Sequence, residues 1–178
     1  MRVFIGIPLP SHVKETIQSI KPMIEPNIRK GRWTRLDNLH ITLVFIGEVS
    51  TDDIESISIL MDQTLHQQSR FPISMADIGM FNKGQHSIVW LGINQGREHL
   101  RHLSSVLKHE LKSHHYSFDE KPLVPHLTLV RQATLANDLN IPKFESEIGW
   151  DVEEIHLYLS HQVDGVLTYQ PLHTIHLK

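Results

Sequence analysis

Two short segments of the chain carry the same polar pair: Leu39-His40-Ile41-Thr42-Leu43-Val44 and Pro125-His126-Leu127-Thr128-Leu129-Val130. Both read His-x-Thr-Leu-Val, and the offset from 40 to 126 is close to half of the 178 residues, as in a chain built from two equivalent halves. Side chains alternate faces along a β-strand, so His40 and Thr42 project together while Leu39, Ile41 and Leu43 point into a core. The same alternation pairs His126 with Thr128. One His-x-Thr alone is most simply a half-exposed polar strand face, but repetition at half-chain spacing calls for a shared purpose. If the halves face each other, two imidazoles and two hydroxyls converge on a volume that suits a phosphate.

The chemistry that uses this set is in-line displacement at phosphorus. The entering oxygen must lose a proton while the departing oxygen, on the opposite side, gains one. A neutral imidazole and an imidazolium do both jobs, each contributing typically ~10²–10⁴-fold. Threonine hydroxyls can donate to the non-bridging oxygens, an electrostatic clamp worth about 2–4 kcal/mol per donor by comparison with oxyanion holes. Arg131, just past the second motif, can neutralise the phosphate further. Strict alternation puts Arg131 on the face opposite His126, so it joins the site only if the strand ends or bulges first.

The elements that must hold these residues follow from hydrophobic period. Val3 to Ile7 is a strand, followed by Ser11 as a helix N-cap and by Val13, Ile17, Ile20 and Ile24 at helical spacing. Leu39 to Ile46 is a second strand closed by Gly47, and Ser50 to Asp53 forms a capping box ahead of Ile54, Ile57, Met61 and Leu65. Phe71 to Met80 and Ser87 to Ile93 form a hairpin across residues 81–86. Leu100, Leu103, Leu107 and Leu111 stripe a third helix that ends before Tyr116. Pro122 and Pro125 bracket an extended approach to a strand from His126 to Val130, and Val152 to Ser160 and Tyr169 to Leu177 close the fold around an Asp164-Gly165 turn. No linker divides the chain. The expectation is α+β: a single compact domain over residues 1–178, of two lobes built on two mainly antiparallel sheets, with helices outside and a central cleft.

Composition narrows the partners. Seventeen Lys plus Arg against 20 Asp plus Glu give a net charge of -3, so no global basic field draws nucleic acid or membrane, and an anion must be gripped locally. The absence of cysteine removes disulfides, thiolate metal sites and cysteine nucleophiles. No apolar run is long enough to span a bilayer and Pro8 interrupts the N-terminal apolar stretch too early for a signal peptide, so a cytoplasmic location without membrane partners is expected.

At the two motifs the sequence resembles the two-histidine phosphoesterase superfamily, and within it the RNA 2',3'-cyclic phosphodiesterases once called 2'-5' RNA ligases. The likeness extends from Arg2-Val3-Phe4-Ile5, through Phe45-Ile46-Gly47 after the first motif and Val89-Trp90-Leu91-Gly92, to Arg131. It implies a pseudo-twofold α+β fold and metal-independent opening of 2',3'-cyclic phosphates of RNA ends or small nucleotides. A 2'-phosphate product and weak reversible 2'-5' ligation go with it. The resemblance also implies catalytic His126 as the base for water, catalytic His40 as the acid for the leaving oxygen, and Thr42, Thr128 and Arg131 as substrate-binding residues. Near-symmetric halves leave the acid and base unassigned by the sequence itself. No cofactor is implied. Oligomeric state is not readable, and a monomer is the default.

Two rivals compete. A metal hydrolase would use His99 with His102 or His109-Glu110 with His114, but a five-residue step on a helix turns the rings ~140° apart. A non-catalytic RNA- or nucleotide-binding module would advertise a basic stripe with interleaved aromatics. Arg29, Lys30, Arg32, Trp33 and Arg35 form one local basic patch, most simply a solvated loop, otherwise a guide for an RNA tail. Trp33, Phe4 and Phe81 are more simply core residues than base-stacking partners.

Overall fold

The computed structural model describes residues 1–136 and 147–178. Strand β1 (Arg2–Pro8) leads to helix α1 (Ser11–Ile24), strand β2 (Ile28–Trp33), strand β3 (His40–Glu48) and helix α2 (Thr51–Leu65). The hairpin β4 (Phe71–Lys83) and β5 (His86–Ile93) precedes α3 (Arg97–Ser113). Strand β6 (His126–Leu135) is followed by β7 (Ile148–Val152), β8 (Glu154–Val163) and β9 (Val166–His176). Between β6 and β7, residues 137–146 lie outside the described residues.

The helices form where apolar residues recur every three or four positions. Val13, Ile17, Ile20 and Ile24 of α1 are buried, as are Leu100, Leu103, Leu107 and Leu111 of α3, each such side chain contributing roughly 1.5–3 kcal/mol. The capping box of α2 is present: Ser50 Oγ accepts from the Asp53 amide, and the Asp53 carboxylate accepts from the Ser50 amide at 2.8 Å. Helix α1 differs from expectation at its start. Pro10, extended with ψ 157°, is the N-cap, and its carbonyl already accepts from Val13 and Lys14, so Ser11 is the first helical residue and caps nothing.

Expected as two sheets, the strands instead form one hydrogen-bonded network in the order β7-β4-β5-β6-β3-β1-β8-β9, every pairing among the described residues antiparallel. The physical reason is a seam. β3 and β6, the two motif strands, meet at the paired position Ile41–Leu127 and join four strands on either side. Along the same edge of β6, beyond that seam, β2 pairs through Trp33–Val130, Arg32–Arg131, Lys30–Thr134 and Ile28–Leu135. The basic segment read as a loop is therefore strand from Arg29 to Trp33, with Arg35 beyond its end. Ile5, Ile41, Leu91, Leu127 and Leu157 lie fully buried in a core shared by both sides of the seam. No helix among the described residues is long and apolar enough to cross a membrane.

Candidate active site

Both motifs start their strands beside the seam. The register that pairs Ile41 with Leu127 sets His40 across from Thr128 and Thr42 across from His126, a crosswise quartet on the face opposite the two buried aliphatics. The two histidines then lie on a diagonal, roughly 7–8 Å apart and somewhat less at Cβ for ordinary strand geometry.

The motif's last two letters have a structural use. In β3 the partner register with β1 shifts between Gly6–Thr42 and Ile5–Val44, and in β6 the register with β5 shifts between Trp90–Thr128 and Val89–Val130. One extra residue, Leu43 or Leu129, is inserted at the same point of each motif, so both Leu and Val are buried: Leu43 and Leu129 as well as Val44 and Val130. The bulge resets alternation. Residues five beyond each histidine, Phe45 and Arg131, thereby reach the histidine face, and both line the same cavity as His40, Thr42, His126 and Thr128.

Each imidazole is held in the same way. His40 Nδ1 lies 2.7 Å from the carbonyl of Asn38, and His126 Nδ1 lies 2.6 Å from the carbonyl of Val124, two residues before the histidine in both cases. A carbonyl only accepts, so Nδ1 carries the hydrogen and Nε2 of the neutral ring presents its lone pair. Asn38 is itself buried and anchored: its side-chain amide donates to Leu167 O at 2.8 Å and its side-chain oxygen accepts from Tyr169 N at 3.2 Å. Strand β9 thus fixes the carbonyl that orients His40. His40 Nε2 lies 3.0 Å from Thr42 Oγ1.

Aromatic rings close around both histidines. Phe4 and Tyr169 lie 4.7 and 5.0 Å from the His40 ring, and Phe81 and Trp90 lie 5.0 and 6.2 Å from His126. This burial pushes the His40 imidazole from 6.5 down to about 4, opposed by the Asn38 carbonyl and reinforced by the charges of Arg131 and His126. Burial also lowers His126, opposed by the Val124 carbonyl and reinforced by Arg131. Both rings are neutral in the unliganded site at pH 7.

The cavity measures about 550 Å³. Its charge is one-sided among the described residues: Arg2, Lys83, Lys108, Lys121 and Arg131 line it against the single carboxylate of Asp119. A protein of net charge -3 thus concentrates positive potential in its cleft, the local grip that an anionic ligand needs. Arg2 also sits 4.9 Å from the Phe45 ring centroid, so β1 brings a guanidinium to the position where the first motif itself has Phe.

A sequence profile described as the 2'-5' RNA ligase superfamily matches residues 9–164. The chain belongs to that superfamily. Its sequence is 32% identical over 171 residues to the RNA 2',3'-cyclic phosphodiesterase of Escherichia coli strain K12, across 96% of this chain and 93% of the relative. It is 31% identical to the RNA 2',3'-cyclic phosphodiesterase of Thermotoga maritima across 82% and 81% of the two chains. The crystal structure of E. coli LigT complexed with 3'-AMP matches with a TM-score of 0.85 at 30% identity, covering 99% of this chain and 97% of that one. This 2'-5' RNA ligase superfamily chain is therefore a hydrolase of the RNA 2',3'-cyclic phosphodiesterase family, with the α+β fold expected of it.

The sequence did not assign Arg2, Lys83, Lys108, Lys121 and Tyr169 to the site. They reach the cavity from strands, a helix and a loop remote in the chain, and no local pattern marks them. Phe4 and Phe81, read as core, line the cavity instead, Phe4 buried against His40 and Phe81 half-buried against Trp90 and His126. The histidines of the metal rival have other contacts: His99 stacks on Phe71 at 4.0 Å, and His114 Nδ1 bonds the Glu110 carbonyl at 2.9 Å. Among the described residues, no group of three or more His, Asp or Glu side chains is arranged to hold a metal ion.

Proposed function

We propose that the chain hydrolyses 2',3'-cyclic phosphates of RNA ends or nucleotides to 2'-phosphates, with His40 and His126 as a metal-independent acid/base pair. Thr42, Thr128 and Arg131 hold the non-bridging oxygens. The two four-stranded sides of the seam act as lobes of one domain over residues 1–178 that share a single site. The observation that carries this reading is the crosswise quartet, with each Nδ1 tied to a carbonyl so that each neutral Nε2 presents a lone pair, which at His40 meets the Thr42 hydroxyl at 3.0 Å.

In the reaction, one imidazole takes the proton of a water whose oxygen attacks phosphorus. The P–O3' bond breaks in line, and the imidazolium gives its proton to O3', leaving a 2'-phosphomonoester. With a 5'-hydroxyl in place of water the same steps form a 2'-5' linkage, and the reverse cleaves it. Solved complexes of E. coli LigT with 3'-AMP, phosphate, ATP and NADP+ support a nucleotide phosphate as the ligand class.

The test is turnover of a 2',3'-cyclic nucleotide in EDTA by the wild type, His40→Ala and His126→Ala, with the product isomer identified. Each variant is expected to lose at least about 10²-fold in kcat. Unchanged turnover in both variants overturns the reading.

A further inference from the structure

The catalytic face of β6 does not stop at the seam. Along one edge of this strand β3 is followed by β2, so the residues opposite His126, Thr128 and Arg131 are Thr42, His40 and then Arg32. Gly31 shows which way β2 is turned. A Cβ there would meet Val130 Cγ1 at 2.5 Å and Ala133 Cα at 3.4 Å, both on buried residues, so position 31 faces the core. Its neighbours Lys30 and Arg32 therefore point to the opposite, solvent-facing side, and both are exposed. Arg131 is exposed on that side too while it lines the cavity.

Arg32 and Arg131 are thus directly opposite on one face, about 4.5–5.5 Å apart at Cα by strand geometry. Like charges in that arrangement oppose folding. Among the described residues neither these two arginines nor Lys30 has a carboxylate partner. Two adjoining guanidiniums that continue from the cavity onto an exposed strand are placed, as a track, to meet a second and a third phosphate. The pocket takes the chain's 3' terminus, so these phosphates lie on its 5' side.

We propose that Lys30 and Arg32 of β2 bind the phosphodiester backbone of a single-stranded RNA upstream of its terminal cyclic phosphate, making an RNA end rather than a mononucleotide the preferred substrate. This rests on the phosphodiesterase reading of the cavity for the identity of the end, not for the binding of the strand. The contacts are to phosphate, so the track is indifferent to base sequence.

The experiment compares a ten-nucleotide RNA ending in a 2',3'-cyclic phosphate with the matching 2',3'-cyclic mononucleotide, using the wild type, the double variant Lys30→Glu/Arg32→Glu, and Lys112→Glu on α3 as a charge control. For the double variant, the ratio of kcat/KM for the oligomer to that for the mononucleotide is expected to fall at least tenfold, through KM. The salt slope for the oligomer should flatten by about 0.7 for each lost phosphate contact. The control should leave that ratio within twofold of the wild type. An unchanged ratio in the double variant, or an equal change in the control, overturns the track. Anisotropy of a labelled ten-nucleotide RNA with a 3'-phosphate end is measured alongside, without turnover. If the wild type cleaves neither substrate, the phosphodiesterase reading fails, and the binding difference between wild type and double variant still decides the track.

Discussion

At the scale of single residues, the two histidines are alike in how they are held and unlike in how deeply. Both donate from Nδ1 to the carbonyl two positions back, but the enclosure by Phe4 and Tyr169 drives His40 down to about 4, whereas His126 is lowered by less. When the free site takes up its first proton, that proton therefore goes to His126. Under the proposed mechanism this burial favours His126 as the acid and His40 as the base, the reverse of the roles that resemblance implies. A substrate whose leaving 3'-oxygen is replaced by sulfur separates the two assignments, because a thiolate departs without a proton. With this substrate His126→Ala is expected to regain most of its lost rate and His40→Ala to regain little. Rescue of His40→Ala instead restores the roles that the resemblance implied. Thr42 and Thr128 show what sequence can carry at this scale: residue type and spacing placed both beside the imidazoles, because alternation along a strand is a local rule.

The limit of that rule shows at the scale of elements. Alternation alone puts Arg131 on the wrong side, and the one-residue bulges at Leu43 and Leu129 return it and Phe45 to the histidine face. Those bulges were written in the repeated Leu-Val, but an apolar pair reads equally well as ordinary strand. β2 was missed for a related reason: Arg29, Lys30, Gly31 and Arg32 have little strand propensity, and pairing with β6 rather than local preference makes the strand. β7 is only five residues long and was likewise invisible without its partner β4. By contrast, all three helices were legible, since a four-residue apolar period and a capping box need no tertiary partner. The hairpin of β4 and β5 supports His126 through Trp90, whose ring lies flat on Gly79; a Cβ there would fall 2.3 Å from Trp90 Cη2. Gly79→Ala is expected to displace the indole, cost about 1–3 kcal/mol of stability by overpacking, and lower kcat by unseating the ring beside His126. Denaturant melts and turnover measured together check this. A variant with wild-type stability and rate would show that Trp90 does not support the site.

The whole molecule joins a mildly acidic exterior to a cationic cleft, where burial, reinforced by the Arg131 charge, keeps the two histidine rings neutral. A bound phosphate anion favours the charged form of a nearby imidazole, so substrate raises the value of the ring beside it, which then takes its proton from solvent when the acid is needed. The same depression makes folding depend on pH. His40 titrates at about 4 in the native chain against 6.5 when unfolded, so between those values the unfolded chain binds a proton that the native chain does not. Stability from this group is complete above pH 6.5, declines as the pH falls toward 4, and declines no further below it. For one fully linked proton the slope is about 1.4 kcal/mol per pH unit, and His126 adds in the same direction over a narrower window. Other carboxylates and histidines also contribute, so the informative quantity is a difference between proteins. Urea unfolding of the wild type and His40→Asn at pH 4.5, 5.5, 6.5 and 7.5 is expected to show the wild type gaining more stability with pH than the variant between 4.5 and 6.5. Above 6.5 the two curves should run parallel. Parallel curves over the whole range would mean that the enclosure of His40 does not hold its ring neutral, and with it would go the physical reason for ranking His126 as the first to take a proton.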